Sequence, residues 1–236
     1  MKNIIVSILL LFTLLLSSCD DGKIYPEEVT THNMFAYLTV TLKGKEAWPQ
    51  KDLIVLAAFG DDKTIPVSTT VIPEPTAANN TANVKLGLTG NEKTIAISLV
   101  TKGTTRQVLY NFYTYSIDEF SEKIDLPIKE IDLASFDRIQ KQIFNDNCVA
   151  CHGGSTHAAA ELYLTEEKSY NAIINIQADL SSEGKVIVKP NEPNASFIID
   201  ILQKDILNYN HSDIFASTPE FITLMETWIS EGAQNE

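Results

Sequence analysis

The strongest chemical pattern in the chain is the run Cys148-Val149-Ala150-Cys151-His152, in which an imidazole directly follows two thiols three positions apart. This spacing is the attachment pattern for c-type haem. The two thiols add across the two vinyl groups on one edge of the porphyrin, and the next residue places an imidazole under the iron. The run therefore predicts one haem c (iron) per chain, with thioether links at Cys148 and Cys151 and His152 as the proximal ligand.

Two other uses of cysteines at this spacing stay open, namely a structural zinc site and a redox pair. Structural zinc usually needs two more ligands at set spacing, and the three cysteines of this chain include no second pair. A thioredoxin-like pair prefers a βαβ context, whereas this motif follows an amphipathic helical pattern. Both comparisons favour haem.

The first residues have the pattern of a targeting segment. An apolar run from Ile4 to Leu16 follows Lys2 and is too short for a comfortable membrane span, which fits a signal peptide. The sequence Leu16-Ser17-Ser18-Cys19 resembles the lipobox of bacterial lipoproteins. This resemblance implies cleavage before Cys19 and lipid attachment to it, so residues 1–18 would be the signal peptide and 19–32 a tether. We expect a lipid-anchored protein of the cell envelope, at the periplasmic or outer-membrane face; an ordinary signal peptide is the alternative.

The predicted secondary structure changes from strands to helices near residue 132, shortly before the motif. Residues 33–132 contain seven short runs rich in Val, Ile, Thr and Tyr, separated by turn residues, which favours an all-β immunoglobulin-like sandwich. Beyond them the apolar residues Phe136, Ile139 and Ile143 have helical spacing, with Ser135 as the N-cap. We therefore predict a multidomain chain, with the sandwich at 33–132 and an all-α domain at 133–236.

Further motifs surround the haem run in a fixed order: Phe144-Asn145-Asp146-Asn147, Gly153-Gly154, Leu162-Tyr163-Leu164, Val188-Lys189-Pro190 through Pro193 and Ser196, and Trp228-Ile229-Ser230-Glu231-Gly232-Ala233. Together they make residues 136–234 similar to the cytochrome c domain first described in planctomycetes, which also occurs in Bacteroidetes lipoproteins. The resemblance implies an all-α, cytochrome c-like C-terminal domain that holds a single haem. It does not extend to the β-rich half.

The predicted sixth ligand departs from that family. Related domains place a Met-Pro pair between the Pro-rich loop and the last helix, whereas this chain has a histidine and no methionine in the slot from Asn208 to Asp213. We predict His211 as the distal ligand. The alternatives are Met225, which lies in the apolar stripe of the last helix, His157, and an open distal site.

The surroundings of the haem are predicted from the same motifs. The ring nitrogen of His152 that faces away from iron needs an acceptor, often a backbone carbonyl, and we expect Pro190 to supply it. Apolar side chains are candidates to wall the ring, although they would be core in any fold: Phe144, Leu162, Ile187, Phe197 and Trp228.

The net charge and the predicted iron ligands limit the possible functions. The net charge of −13 argues against a nucleic-acid partner. From Ala134 onward 15 acidic residues face 6 basic ones, which predicts a redox partner protein with a basic docking surface. We expect a membrane-anchored electron carrier that acts by outer-sphere transfer and is not an enzyme. The alternatives are a haem-dependent peroxidase or small-ligand reductase, and a glycan- or partner-binding lipoprotein with an accessory haem.

Overall fold

The computed structural model describes residues 33–119, 121–154 and 156–235. The predicted signal peptide, the tether and the lipidation at Cys19 fall outside these residues. The chain from His32 to Glu236 forms one compact unit. Within the described ranges, no helix has the length and apolar character needed to cross a bilayer.

Two four-stranded sheets make up the first half of this unit. Their strands, in chain order, are β1 (Met34–Lys43), β2 (Leu53–Phe59), β3 (Ser68–Val71), β4 (Thr81–Leu88), β5 (Thr94–Val100), β6 (Val108–Ser116), β7 (Lys123–Asp125) and β8 (Glu130–Asp132). In the first sheet β1 pairs antiparallel with β4 and parallel with both β7 and β8; the second sheet has the order β3-β2-β5-β6. The chain leaves the first sheet through β8, directly ahead of the helical stretch that carries the cysteines.

The two sheets pack on a shared core because their apolar residues alternate along the strands. In β1 the residues Ala36, Leu38, Val40 and Leu42 are at most 2% exposed, and they join inward-facing residues of β2, β4 and β5 in one cluster. β2 and β5 are buried on both faces, since their other residues form a second small cluster around Phe59. The sandwich is thus a rigid base for the segment that follows.

The second half contains short helices joined by loops. The chain is helical from Phe136 to His152, as α1 (Phe136–Ile139), a π-helical segment (Gln140–Cys148) and α2 (Val149–His152). The remaining α-helices are α3 (Ser169–Ile173), α4 (Phe197–Gln203) and α5 (Glu220–Ser230). The oxygen Oγ of Ser135 accepts a hydrogen bond from the amide of Arg138, so the predicted N-cap is confirmed.

The predicted fold class, a multidomain chain with a C-terminal all-α cytochrome c-like domain, is wrong. The protein is mostly β-sheet and 26% helical, and its C-terminal region has only a few small helices. The helix expected from the spacing of Phe136, Ile139 and Ile143 is present, but the region beyond it is made largely of loops. The peptide groups between the short helices pair across loops instead, as when Asn175 N donates to Val188 O and Val188 N donates to Ile173 O. Isolated bridges of this kind leave no periodic pattern in a sequence.

The two halves are joined by buried polar contacts. The guanidinium of Arg138, 4% exposed, donates from Nη1 to the carbonyls of Leu133 (2.6 Å) and Ala47 (3.2 Å). On the other side of the junction, Gly44 N donates to Glu231 Oε1 (3.1 Å). Gly44 has φ 61°, and a Cβ there would lie 2.8 Å from the amide nitrogen of Ala134, so only glycine fits. The predicted boundary near residue 132 is therefore a change of secondary structure within one unit.

Candidate haem attachment site

The two cysteines and the histidine of the motif lie on one side of the helical stretch. Cys148 ends the π-helical segment, and Cys151 and His152 lie in α2. Residues at positions i, i+3 and i+4 of a helix lie on the same face, so both thiols and the imidazole can meet one flat ligand. Cys148 and His152 are half-buried and Cys151 is exposed. The spacing of the motif therefore places both thiols and the imidazole on one side of the helical stretch.

The two thiols are free, and the environment of Cys148 disfavours a redox role. Its Sγ donates to the carbonyl of Ile143 at 3.6 Å, and burial, with a smaller effect of Cys151, raises the pKa of Cys148 to about 12. Reactive cysteines have a lowered pKa, because the thiolate is the nucleophile. Among the described residues, no group of three or more His, Cys, Asp or Glu side chains is placed to hold a metal ion.

The imidazole of His152, the predicted proximal ligand, is held by a segment that returns to the helix. Its Nδ1 lies 3.2 Å from the carbonyl oxygen of Leu162, and its own carbonyl accepts a hydrogen bond from Leu164 N at 2.8 Å. A carbonyl can only accept, so Nδ1 of His152 carries the hydrogen and Nε2 keeps the lone pair that binds a metal. The prediction that Pro190 supplies this acceptor is wrong, because the acceptor beside Nδ1 is the backbone carbonyl of Leu162.

Two glycines allow that reversal. A Cβ on Gly153 would overlap the carbonyl oxygen of Val149, and one on Gly154 would overlap that of His157. The returning segment is then tied to the helical stretch by Gln140, which is 4% exposed and donates from Nε2 to the carbonyl of Leu164 (2.9 Å). The predicted motif residues Gly153 and Gly154 therefore shape the loop on the proximal side.

The predicted distal histidine lies in a turn between α4 and α5. Its Nδ1 is 3.0 Å from the carbonyl oxygen of Tyr209, and Oδ1 of Asn210 accepts from Ser212 N (3.0 Å), which closes the turn around His211. A 3₁₀ turn (Ser212–Phe215) follows, and Phe215, 1% exposed, anchors it in the core. The side chain of His211 is half-buried.

The rings of His152 and His211 come together across roughly sixty residues of chain. Their centres are 6.4 Å apart and their planes meet at 35°. A metal held between two imidazole nitrogens, each at about 2 Å, would place the ring centres roughly 6 Å apart. Both Nδ1 atoms face carbonyl oxygens, so both Nε2 atoms are available to a metal. The distance between the ring centres is therefore the one expected for two imidazoles on a single metal.

The alternative ligands are placed differently. Met225 is 0% exposed and lies in the C-terminal core, and His157 is exposed on the loop after Gly154. Among the described residues, the aromatic ring that lies against the imidazole of His152 is that of His211. The structure thus brings together the histidine pair chosen from the sequence.

The residues predicted to line the haem differ in how deeply they are buried. Phe144 and Trp228 are 1% and 2% exposed, and their rings lie 6.1 and 5.1 Å from that of Phe136 inside the core. Leu162 and Ile187 are half-buried and pack against this core, and Phe197 is buried. Contact of these side chains with a haem stays a prediction.

Two residues of the site were missed by sequence reasoning. Gln140 ties the returning segment to the helix, and Tyr209 faces His211. A buried glutamine has no distinctive sequence pattern, and a backbone carbonyl can come from any residue, although the position two before a histidine is a natural place to look.

Comparison of the chain with protein-family models, with curated proteins and with solved structures gave no match.

Proposed function

We propose that this protein is a membrane-anchored, monohaem c-type cytochrome that carries electrons by outer-sphere transfer. One observation carries the proposal: the imidazole that follows the paired cysteines lies 6.4 Å, centre to centre, from a second imidazole far along the chain. The order of motifs that resembles planctomycete-type cytochrome c domains supports haem attachment, although the fold implied by that resemblance is not the one observed.

Attachment needs no oxidant. The S–H group of each thiol adds across one vinyl double bond, so that a carbon–sulfur bond forms and the hydrogen passes to the other vinyl carbon. Cys148 and Cys151 are both free for this addition. The haem then supplies one-electron chemistry.

The residues of the chain would hold the ligand atoms in place. His152 presents Nε2 because Leu162 O fixes its tautomer, and His211 does so through Tyr209 O. Two imidazoles give a lower potential than an imidazole and a thioether. With His152 and His211 as its ligands, a haem iron would have no position left for a substrate, and this favours electron transfer over the peroxidase or reductase alternative.

The membrane and partner parts of the proposal rest on the sequence. Lipid at Cys19 would tether the protein, and the acid excess beyond Ala134 would favour a basic redox partner.

The test is expression of the full chain with haem-maturation machinery, followed by mass spectrometry and absorption spectroscopy. We expect a mass increase of one haem and a low-spin, six-coordinate spectrum. His211→Ala should lose that spectrum, while the matched control Met225→Ala should keep it. Cys148→Ala and Cys151→Ala should each leave one vinyl group unsaturated. Colourless protein, a high-spin wild type, or a spectrum altered by Met225→Ala alone would overturn the proposal.

A further inference from the structure

The side chain next to the predicted distal ligand is an exposed tyrosine. The ring of Tyr209 is 62% exposed, and its centre lies 5.1 Å from that of His211 at an interplanar angle of 80°. This is an edge-to-face arrangement, which is the favourable geometry for two such rings. The carbonyl of the same residue faces His211 Nδ1 at 3.0 Å. One residue therefore touches the imidazole at two points.

The distal imidazole is held more locally than the proximal one. His152 is fixed by Leu162, on a segment that Gln140 binds to the helical stretch. By contrast, every hydrogen bond recorded for the loop residues 205–213 in the described parts of the chain ends on a residue between 204 and 216. The hydrogen bonds that orient the His211 ring therefore lie inside its own loop, where Tyr209 supplies both the acceptor and an adjacent ring.

We propose that Tyr209 is the positioning residue of the distal imidazole, an inference that rests on the proposed function. Its carbonyl selects the tautomer with the hydrogen on Nδ1, and its ring restrains rotation of the imidazole, so that Nε2 points toward the metal. The turn closed by Asn210 and Ser212 sets the backbone, and the ring of Tyr209 sets the side chain.

The expected effect follows from the energy of a ring pair. Loss of an edge-to-face contact should raise the fraction of protein with the distal position open about two- to tenfold. A small ligand that competes with His211 binds with an apparent affinity proportional to that open fraction. Carbon monoxide binding to the ferrous protein therefore measures how well Tyr209 holds the imidazole.

The experiment is a carbon monoxide titration of the reduced, haem-loaded full chain. Tyr209→Ala and Tyr209→Leu, which lack the ring, should bind carbon monoxide about two- to tenfold more tightly than the wild type. Tyr209→Phe keeps the ring and the carbonyl and should match the wild type. Ile206→Ala, at an exposed position of the same loop, is the matched control and should also match it. His211→Ala sets the upper limit of affinity.

The outcomes separate the two proposals. Wild-type affinity in both Tyr209→Ala and Tyr209→Leu overturns the positioning role, and so does a Tyr209→Phe variant that behaves like Tyr209→Ala. A wild type that already binds carbon monoxide as tightly as His211→Ala overturns the two-imidazole site itself. Leucine keeps the apolar bulk, so a folding defect confined to Tyr209→Ala leaves the test intact.

Discussion

Replacement of the buried Arg138 tests whether the sandwich and the haem-binding half unfold as one unit. This side chain leaves the first turn of the helical stretch and donates to the carbonyls of Ala47 and Leu133 and to Oε1 of Gln142 (2.8 Å). Burial lowers its pKa to about 10, which shows how strongly the guanidinium is desolvated. Arg138→Met has a similar length but donates no hydrogen bond.

The size of the effect follows from the groups left behind. Ala47 and Leu133 are 5% and 0% exposed, so the substitution leaves two buried carbonyls without a donor. Each buried acceptor that loses its partner costs about 1–3 kcal/mol, and methionine recovers part of this by apolar packing. We expect a loss of about 2–5 kcal/mol, which lowers the midpoint of urea unfolding by about 1–2 M.

The assay follows urea unfolding of the haem-loaded protein with one probe in each half. Fluorescence of Trp48 in a Trp228→Phe background monitors the sandwich, against whose core Trp48 packs, and fluorescence of Trp228 in a Trp48→Phe background monitors the helical half. Arg138→Met should shift the transition by the same amount in both backgrounds. Lys141→Met, at an exposed neighbouring position, should shift either transition by less than about 0.5 kcal/mol. A shift confined to Trp228 fluorescence would refute the reasoning, because it would mean that the halves unfold separately.

Three further substitutions give expected results in the same unfolding assay. Tyr110→Phe loses a 2.5 Å hydrogen bond from its hydroxyl to Asp137 Oδ2 and should cost about 1.5 kcal/mol. Met225→Ala should cost about 2–5 kcal/mol, because its side chain is fully buried, and should leave the haem spectrum unchanged. Glu231→Gln should raise the urea midpoint at pH 7. Burial, Asp132 and Glu46 raise the pKa of Glu231, so its charged form is disfavoured in the folded state, and the gain should shrink as the pH falls toward 4.5, the ordinary value for the carboxyl.

The sequence predicted local features of the fold well. Short runs rich in Val, Ile, Thr and Tyr predicted strands in residues 33–132, where β1 to β8 lie, and Ser135 caps the helix that leads into the cysteines. These features depend on residues that are close together in the chain, where side-chain period and capping chemistry act directly.

The features that sequence analysis missed depend on distant backbone groups. The acceptor for the proximal histidine is the Leu162 carbonyl, and nothing in a side chain indicates which carbonyl will reach it. The shortness of the C-terminal helices has the same origin, because residues such as Asn175 and Val188 pair with each other across a loop. The histidine pair could be chosen in advance because imidazoles are rare in this chain and carry their chemistry in the side chain.

The two imidazoles that we propose as iron ligands are therefore held by different parts of the structure. His152 sits at the end of a helical stretch whose first turn is bound to the sandwich by Arg138, so its position persists until the whole unit unfolds. His211 lies on a loop whose hydrogen bonds stay within that loop, so we expect its imidazole to turn away from a metal more readily than that of His152. If haem binds as proposed, it would stay attached on the side of Cys148, Cys151 and His152, and a change of coordination would be confined to the side of His211, where Tyr209 is exposed to solvent.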